Sequence, residues 1–125
     1  MEEKAAACAL IRENREKFRA WRMELIEGRA PEALAALPAP DAVFIGGSGG
    51  ELDAIIAQAL EKNPDARICV SAIAIETLSA AVKSMAERGL TVEVTQISVS
   101  RTKSAGSLHL LMAQNPVFLI TGSRE

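Results

Sequence analysis

Tyrosine is missing from this 125-residue chain, and the other rings are few: one tryptophan and three phenylalanines. So sparse a set gives no stacking platform for unpaired bases. An excess of basic residues is missing too. Fourteen lysines and arginines face sixteen acids, for a net charge of −2, and both signs are spread along the chain. No polybasic face for nucleic acid is implied. Cysteine is scarce: Cys8 and Cys69 are far apart and have no CxxC neighbour. They read as free thiols of a cytoplasmic protein, not as a disulfide frame or a zinc site. Long hydrophobic runs are absent, so no membrane span is expected. The start lacks the charged, apolar and small-residue order of a secretory signal. There is no internal repeat, linker or low-complexity tract. The length suits one domain, residues 1–125, with a single core.

Glycine is concentrated where the rest of the chain has little. Residues 44–53 read FIGGSGGELD, with Gly46, Gly47, Gly49 and Gly50 around Ser48. The apolar run Ala42–Ile45 precedes them and a helical pattern follows. No Gly-Lys-Ser/Thr ends the stretch, so it is not a phosphate loop. The spacing is not GxGxxG, and Glu51 would repel a pyrophosphate. Two readings remain: a tight strand-to-helix turn, or the rim of a ligand crevice. Such crevices open at the carboxyl ends of parallel strands, where glycine admits a ligand close to the backbone.

The hydrophobic period alternates along the chain. Ala7, Leu10, Ile11, Asn14 and Phe18 form a helical stripe within residues 3–19. Met23–Ile26 reads as a short strand ended by Gly28. Residues 30–37 predict one or two helical turns, with Pro31 early and Pro38 and Pro40 as stops. Ala42–Ile45 reads as a buried strand. Leu52, Ile55, Ile56, Ala59 and Leu60 give a helix face that Asn63-Pro64 closes. Arg67–Val70 is a second buried strand. Leu78, Ala81, Val82 and Met85 mark another helix, stopped by Gly89; Thr77 is a candidate cap, and Glu76 suits a helix N-terminus. Thr91–Val99 alternates with a slip in parity, which predicts a bulge near Gln96. Leu108–Met112 and Val117–Ile120 complete an antiparallel pair with Pro116 at a bulge or bend. Strand–helix alternation followed by an all-β ending predicts an α/β sheet, mostly parallel, with antiparallel strands last.

Four segments, EGRAPEAL, VFIGGSGGEL, SAIAIETL and AQNPVFLITG, occur in this order and at a spacing that resembles the decarboxylating precorrin methyltransferases of cobalamin biosynthesis. The resemblance covers essentially the whole chain. It implies a three-layer, Rossmann-like class I methyltransferase fold with S-adenosyl-L-methionine as cofactor. The implied activity is methylation of a ring carbon of a precorrin tetrapyrrole, with loss of carbon dioxide from an acetate side chain.

Residue by residue, the resemblance places Glu2 where the family holds the ribose hydroxyls with a carboxylate. Gly28, Arg29 and Ala30 fall at the adenine end; many relatives have aspartate at the position of Arg29. Gly46 and Gly47 fall beside the methionine end of the cofactor, with Ser48 and Gly49 at the tetrapyrrole entrance. The family's first strand, glycine-rich loop, helix and second strand precede the position of Glu2. The chain is therefore expected to be the C-terminal part of the fold, with weak cofactor binding and impaired activity by itself. The alternative is a non-catalytic α/β module that self-associates. Without its two central neighbours, the apolar strand Ala42–Ile45 has an unprotected edge. A homo-oligomer, or a rearranged N-terminal third, is expected. The expected partners are the precorrin substrate and further copies of the chain, with no nucleic acid or membrane.

Other polar residues carry competing readings. Arg101 and Lys103 are either a solvated hairpin or a pair of cations that meets precorrin carboxylates. His109 is either a packed or surface side chain or a base. Ser71 and Glu76 flank the expected rim. No residue is singled out as catalytic, and no metal site is expected. Methyl transfer needs chiefly alignment of donor and acceptor.

Overall fold

The structure, a computed structural model, describes residues 1–124 and divides into two compact units, Met1–Ala39 and a second that begins at Pro40. In the first unit, helix α1 spans Ala5–Lys17 and a single 3-10 turn spans Glu32–Leu34. The α1 stripe is rotated from the expected one. Cys8 is its buried residue, with Ile11 and Arg15 half-buried, while Leu10 and Phe18 are exposed. Met23–Ile26 does not form the expected strand. The chain there makes one isolated parallel bridge, Glu2 with Glu27, too short to build a ladder. Residues 30–37 hold only the 3-10 turn, after a cis Ala30-Pro31 bond.

The second unit has the elements β1 (Ala42–Ile45), α2 (Leu52–Lys62), β2 (Arg67–Ala72), α3 (Ile75–Glu87), β3 (Thr91–Ile97), β4 (Ser100–Ala105), β5 (Leu108–Ala113) and β6 (Val117–Ser123). A four-stranded sheet runs β1-β2-β6-β3, and β4 and β5 form a separate pair. β1 and β2 are parallel, while β6 is antiparallel to both β2 and β3. Two strands each followed by a helix, then a hairpin return, give this mixed sheet.

The C-terminal ends of α2 and α3 follow their sequence signals. Asn63 leaves α2 in an extended conformation and donates from Nδ2 to the Pro40 carbonyl at 2.8 Å. Gly89 ends α3 with φ +75°, a conformation that costs glycine little. The α3 N-cap is Ala74, not Thr77, and it makes no side-chain bond to the helix; Glu76 lies in the first turn.

The core lies between one face of the sheet and the two helices. Ile55, Ile56, Ala59 and Leu60 of α2 and Ala81 and Met85 of α3 are buried with Ile45, Ile68, Val70, Ala72 and Ile120. Gly122 makes the close fit possible: a Cβ there would stand 2.7 Å from Met85 Sδ. Strand burial differs from expectation. β2 is buried on alternate residues and β1 only at Ile45, with Phe44 exposed and Cys69 half-buried, because α2 and α3 pack against one face of the sheet.

The expected bulge near Gln96 is absent, since β3 pairs with β6 without interruption from Thr91 to Ile97. The extra residue lies on the opposite strand. Ile97 to Ser100 advances three residues while Val117 to Ala113 advances four. The slack falls at Gln114-Asn115-Pro116, where proline cannot donate to a ladder, and Gln114 N–H bonds instead to the Val99 carbonyl at 2.9 Å. Beyond that break, every residue of β4 and β5 is exposed. No helix among the described residues is long and apolar enough to cross a membrane.

α2 and α3 are also tied by charge. Arg88 donates to both Asp53 carboxylate oxygens, at 2.8 and 3.0 Å, and Ser84 Oγ donates to Oδ1 at 2.7 Å. The Arg88 bonds first, then that of Ser84, hold the Asp53 carboxyl below its ordinary value of 3.8. A lowered folded-state value stabilises the fold above the unfolded value and is lost as pH falls through the folded one. Asp53→Asn is therefore expected to lower the urea midpoint at neutral pH, by a small margin because the carboxylate faces solvent. The gap to wild type should close as the medium is acidified below 3.8; a gap that stays constant with pH would contradict this.

Candidate functional site

Parallel pairing puts the carboxyl ends of β1 and β2 side by side. The chain leaves β1 through Gly46–Gly50 and leaves β2 through Ser71–Ile75, so both exits share one rim. The loop divides between the two readings of its glycines. Gly49 and Gly50 have φ +56° and +94°, so this half is a turn that favours glycine. Glu51 N–H closes it on the Ser48 carbonyl at 2.9 Å. Gly46 and Gly47 have no positive φ and owe nothing to the turn. A Cβ at Gly46 would lie 3.5 Å from the Phe44 ring and 4.0 Å from Ser71 Oγ, and one at Gly47 would meet nothing within 4 Å. Open space over the backbone is found at Gly47, while a Cβ at Gly46 would be in ordinary contact with Phe44.

Two residues on this rim escaped the sequence reading. Ile73 and Ile75 are 67% and 75% exposed. The signal was present in SAIAIETL, where isoleucine alternates with alanine past the end of β2. Ser71 is half-buried beside Gly46, and Glu76 is exposed.

In the first unit the backbone assembles Glu2 and the residues from Gly28 on. Glu2 N–H bonds the Ile26 carbonyl at 3.1 Å, and Gly28 N–H bonds the Glu2 carbonyl at 2.9 Å. Glu2 Oε1 accepts the N–H groups of Glu3 and Lys4 at 3.0 and 2.9 Å, which fixes its carboxylate at the start of α1. Gly28 has φ +154° and approaches closely: its Cβ would stand 3.0 Å from Ala33 Cβ. Arg29 is exposed, Ala30 is half-buried, and the Arg29 carbonyl accepts from Ala33 N–H at 2.9 Å. Arg12 pairs with Glu27 beside this bridge.

Arg101 and Lys103 lie on β4, opposite Met112 and Leu110 of β5. His109 is opposite Ser104 and is exposed, a surface position. Among the described residues no group of three His, Cys, Asp or Glu side chains is placed to hold a metal ion.

The loop's two halves make separable predictions. Gly50→Ala should destabilise the fold by roughly 1 kcal/mol, because alanine resists that φ. Gly47→Ala should leave stability within about 0.5 kcal/mol of wild type. Urea denaturation of both variants checks the pair, and equal losses would mean that the whole loop is only a turn.

The sequence and the fold have counterparts among known proteins. A family model described as precorrin methyltransferase domain matches residues 1–124. The probable cobalt-precorrin-6B C(15)-methyltransferase (decarboxylating) of Pyrobaculum calidifontis is 45% identical over 116 residues, which are 92% of this chain and 60% of that protein. The cobalt-precorrin-6B C(15)-methyltransferase (decarboxylating) of Salmonella typhimurium is 33% identical over 127 residues, 100% of this chain and 65% of that protein. The crystal structure of a precorrin-6y C5,15-methyltransferase from Geobacter metallireducens superposes with a TM-score of 0.90 at 37% identity, over 98% of this chain and 64% of that one. The chain thus spans 60% to 65% of the length of these relatives. Matched along its length by sequence and by structure, this chain belongs to the precorrin methyltransferase family.

Proposed function

We propose that these residues are the C-terminal part of one methyltransferase-like domain: a cytoplasmic enzyme that methylates a cobalt-precorrin at a ring carbon and removes carbon dioxide from an acetate side chain. The observation that carries the proposal is the open backbone at Gly47, with Gly46 beside Ser71, at the carboxyl ends of two parallel strands, in a chain that matches this family from end to end.

S-adenosylmethionine supplies the methyl group, already activated on a positively charged sulfur. The protein's task is then alignment and exclusion of water. The residues present suit that cofactor. Glu2 accepts the ribose hydroxyls with the carboxylate oxygen that α1 does not use, and the bonds from Glu3 and Lys4 hold it in one rotamer. Gly28, Arg29 and Ala30 line the adenine end. Gly46 and Gly47 leave room for the methionine end. Ser48 and Gly49 border the tetrapyrrole entrance, and Ile73 and Ile75 offer its flat apolar ring a wall. Arg101 and Lys103 meet the carboxylates on the macrocycle's edge with charge-assisted hydrogen bonds.

A chimera tests this reading. Residues 1–124 replace the matched stretch of the Pyrobaculum calidifontis relative. The chimera should release carbon dioxide from cobalt-precorrin-6B only when S-adenosylmethionine is present. In it, Glu2→Ala should weaken cofactor binding by about 1–3 kcal/mol, the cost of buried hydroxyls left unpaired, and Gly47→Val should weaken it further. An inert chimera that binds no cofactor would refute the proposal.

The second reading, self-association, is favoured by the β4–β5 hairpin. Leu108, Leu110, Leu111 and Met112 are between 45% and 74% exposed, and so many bare apolar groups on one protrusion mark an interaction surface. We assign it to contact between copies of the chain, with Arg101 and Lys103 as its charged rim. Sedimentation should show an oligomer, and Leu110→Lys with Leu111→Lys should shift it toward monomer without lowering the melting temperature. A wild-type monomer at high protein concentration would dismiss the assignment.

A further inference from the structure

Residues 17–23 read KFRAWRM and join α1 to the Glu2–Glu27 bridge in the first unit. Lys17, Phe18, Arg19, Trp21, Arg22 and Met23 are all exposed, Phe18 by 71% and Trp21 by 56%. No acid lies among them. Lys17 Nζ stands 5.7 Å from the centre of the Phe18 ring. Lys17, Arg19 and Arg22 have no acidic partner among the described residues. Three unpaired cations thus flank the chain's one tryptophan.

The turn is fixed by its backbone. Phe18 caps α1, Arg19 N–H bonds the Glu16 carbonyl at 3.2 Å, and Ala20 N–H bonds the Arg15 carbonyl at 2.9 Å. That nested pair is a Schellman ending, in which the residue after the cap is usually glycine. Here it is Arg19, with φ +53°, the one positive-φ residue other than glycine among the described residues. A β-carbon disfavours that conformation, so glycine would serve the turn better. Met23 N–H then closes on the Ala20 carbonyl at 2.9 Å, a bond that keeps Trp21 and Arg22 between its ends. An arginine held where the backbone favours glycine has its reason in the side chain.

We propose that this turn is a peripheral membrane contact. Trp21 enters the headgroup layer of a bilayer rich in anionic phospholipid, and Lys17, Arg19 and Arg22 meet the lipid phosphates. Tryptophan is favoured in that layer, where its ring finds apolar cover and its N–H finds acceptors. Cations near an anionic leaflet are attracted within about a Debye length, roughly 8 Å at physiological salt, and guanidinium groups take phosphate oxygens in pairs. Glu16 and Glu24, both exposed, stand at the two ends of the turn and confine the attraction to it. A protein partner fits less well. A stable protein interface takes about 800 Å² from each side, roughly 20–30 residues, and a turn this short, bordered by acids, does not supply that. A bilayer asks for less, because it is fluid and closes around what enters it. A net charge of −2 and the lack of a spanning helix among the described residues do not bear on so small a patch, and the contact departs from the expectation of no membrane partner. It is weak and reversible, as suits one ring and three charges.

Trp21 is its own reporter, because the chain has no other tryptophan. Its emission should shift to the blue when the 125-residue chain meets vesicles of phosphatidylcholine and phosphatidylglycerol in equal parts. It should not shift with phosphatidylcholine alone, or in high salt. Cosedimentation with the same vesicles measures the partition. Arg19→Gly separates this role from a structural one. It should raise the urea midpoint, since glycine suits that φ, yet lower the partition into anionic vesicles by about fivefold, the weight of one cation at such a surface. Arg22→Gln should lower the partition alike and leave the urea midpoint unchanged. Neither cofactor nor tetrapyrrole enters the test, so its outcome is independent of the reaction. No blue shift with anionic vesicles overturns the proposal. So does an Arg19→Gly chain that partitions like wild type, or an equal blue shift with soluble polyglutamate, which would make an acidic protein the partner.

Discussion

The second unit depends on one strand held from both sides. β6 lies between β2 and β3 and is antiparallel to each, so its backbone bonds close both ladders at once. Its Ile120 is fully buried at the centre of the core. Its Gly122 leaves the space that Met85 of α3 fills. A side chain at Gly122 would collide with that methionine, and a polar group at Ile120 would be stranded without a partner. Because β6 follows β3 only after the β4–β5 hairpin, the sheet closes only when the chain returns from that hairpin to lie between β2 and β3. The parallel pair β1-β2, which carries the glycine rim, is held in place by that return.

One-sided burial is the second organising fact. The helices α2 and α3 satisfy one face of the sheet and leave the other bare. The bare face is apolar enough to need cover, and the same is true of the hairpin β4–β5. These surfaces differ in shape and composition. The sheet face continues the free edge of β1 and holds an open pocket lined by Phe44, Arg67, Cys69 and Thr121. The hairpin lies past the break at Gln114–Pro116, is exposed along both strands and mixes leucine with arginine and lysine.

The glycine loop shows how one motif serves two needs. Gly49 and Gly50 answer the backbone, since their dihedral angles favour glycine over any other residue. Gly46 and Gly47 have ordinary backbones; a Cβ at Gly46 would only touch Phe44, and the surroundings of Gly47 are open. Adjacent Ile73 and Ile75 add an apolar margin that a polar reading of the rim would overlook.

Local periodicity determined much of the second unit by itself. The face of α2 from Leu52 to Leu60, the start and end of β1, and the stop at Gly89 were all legible, because each depends on near neighbours in the chain. The family was legible too, because four short segments kept their order and spacing. Tertiary structure decided the rest. Met23–Ile26 has strand composition, but a strand exists only where a ladder partner lies beside it, and the chain offers a single bridge there. The parity slip after Val94 was visible, yet only the register across two strands shows that the extra residue lies at Gln114–Pro116. Phe44 and Cys69 read as buried, since hydrophobicity records what a surface requires and not whether its cover is present. Of the candidate site residues, the glycines were marked by composition. The hold of Glu3 and Lys4 on the Glu2 carboxylate was not, because a hydrogen bond is set by where the chain brings two groups together and not by their names.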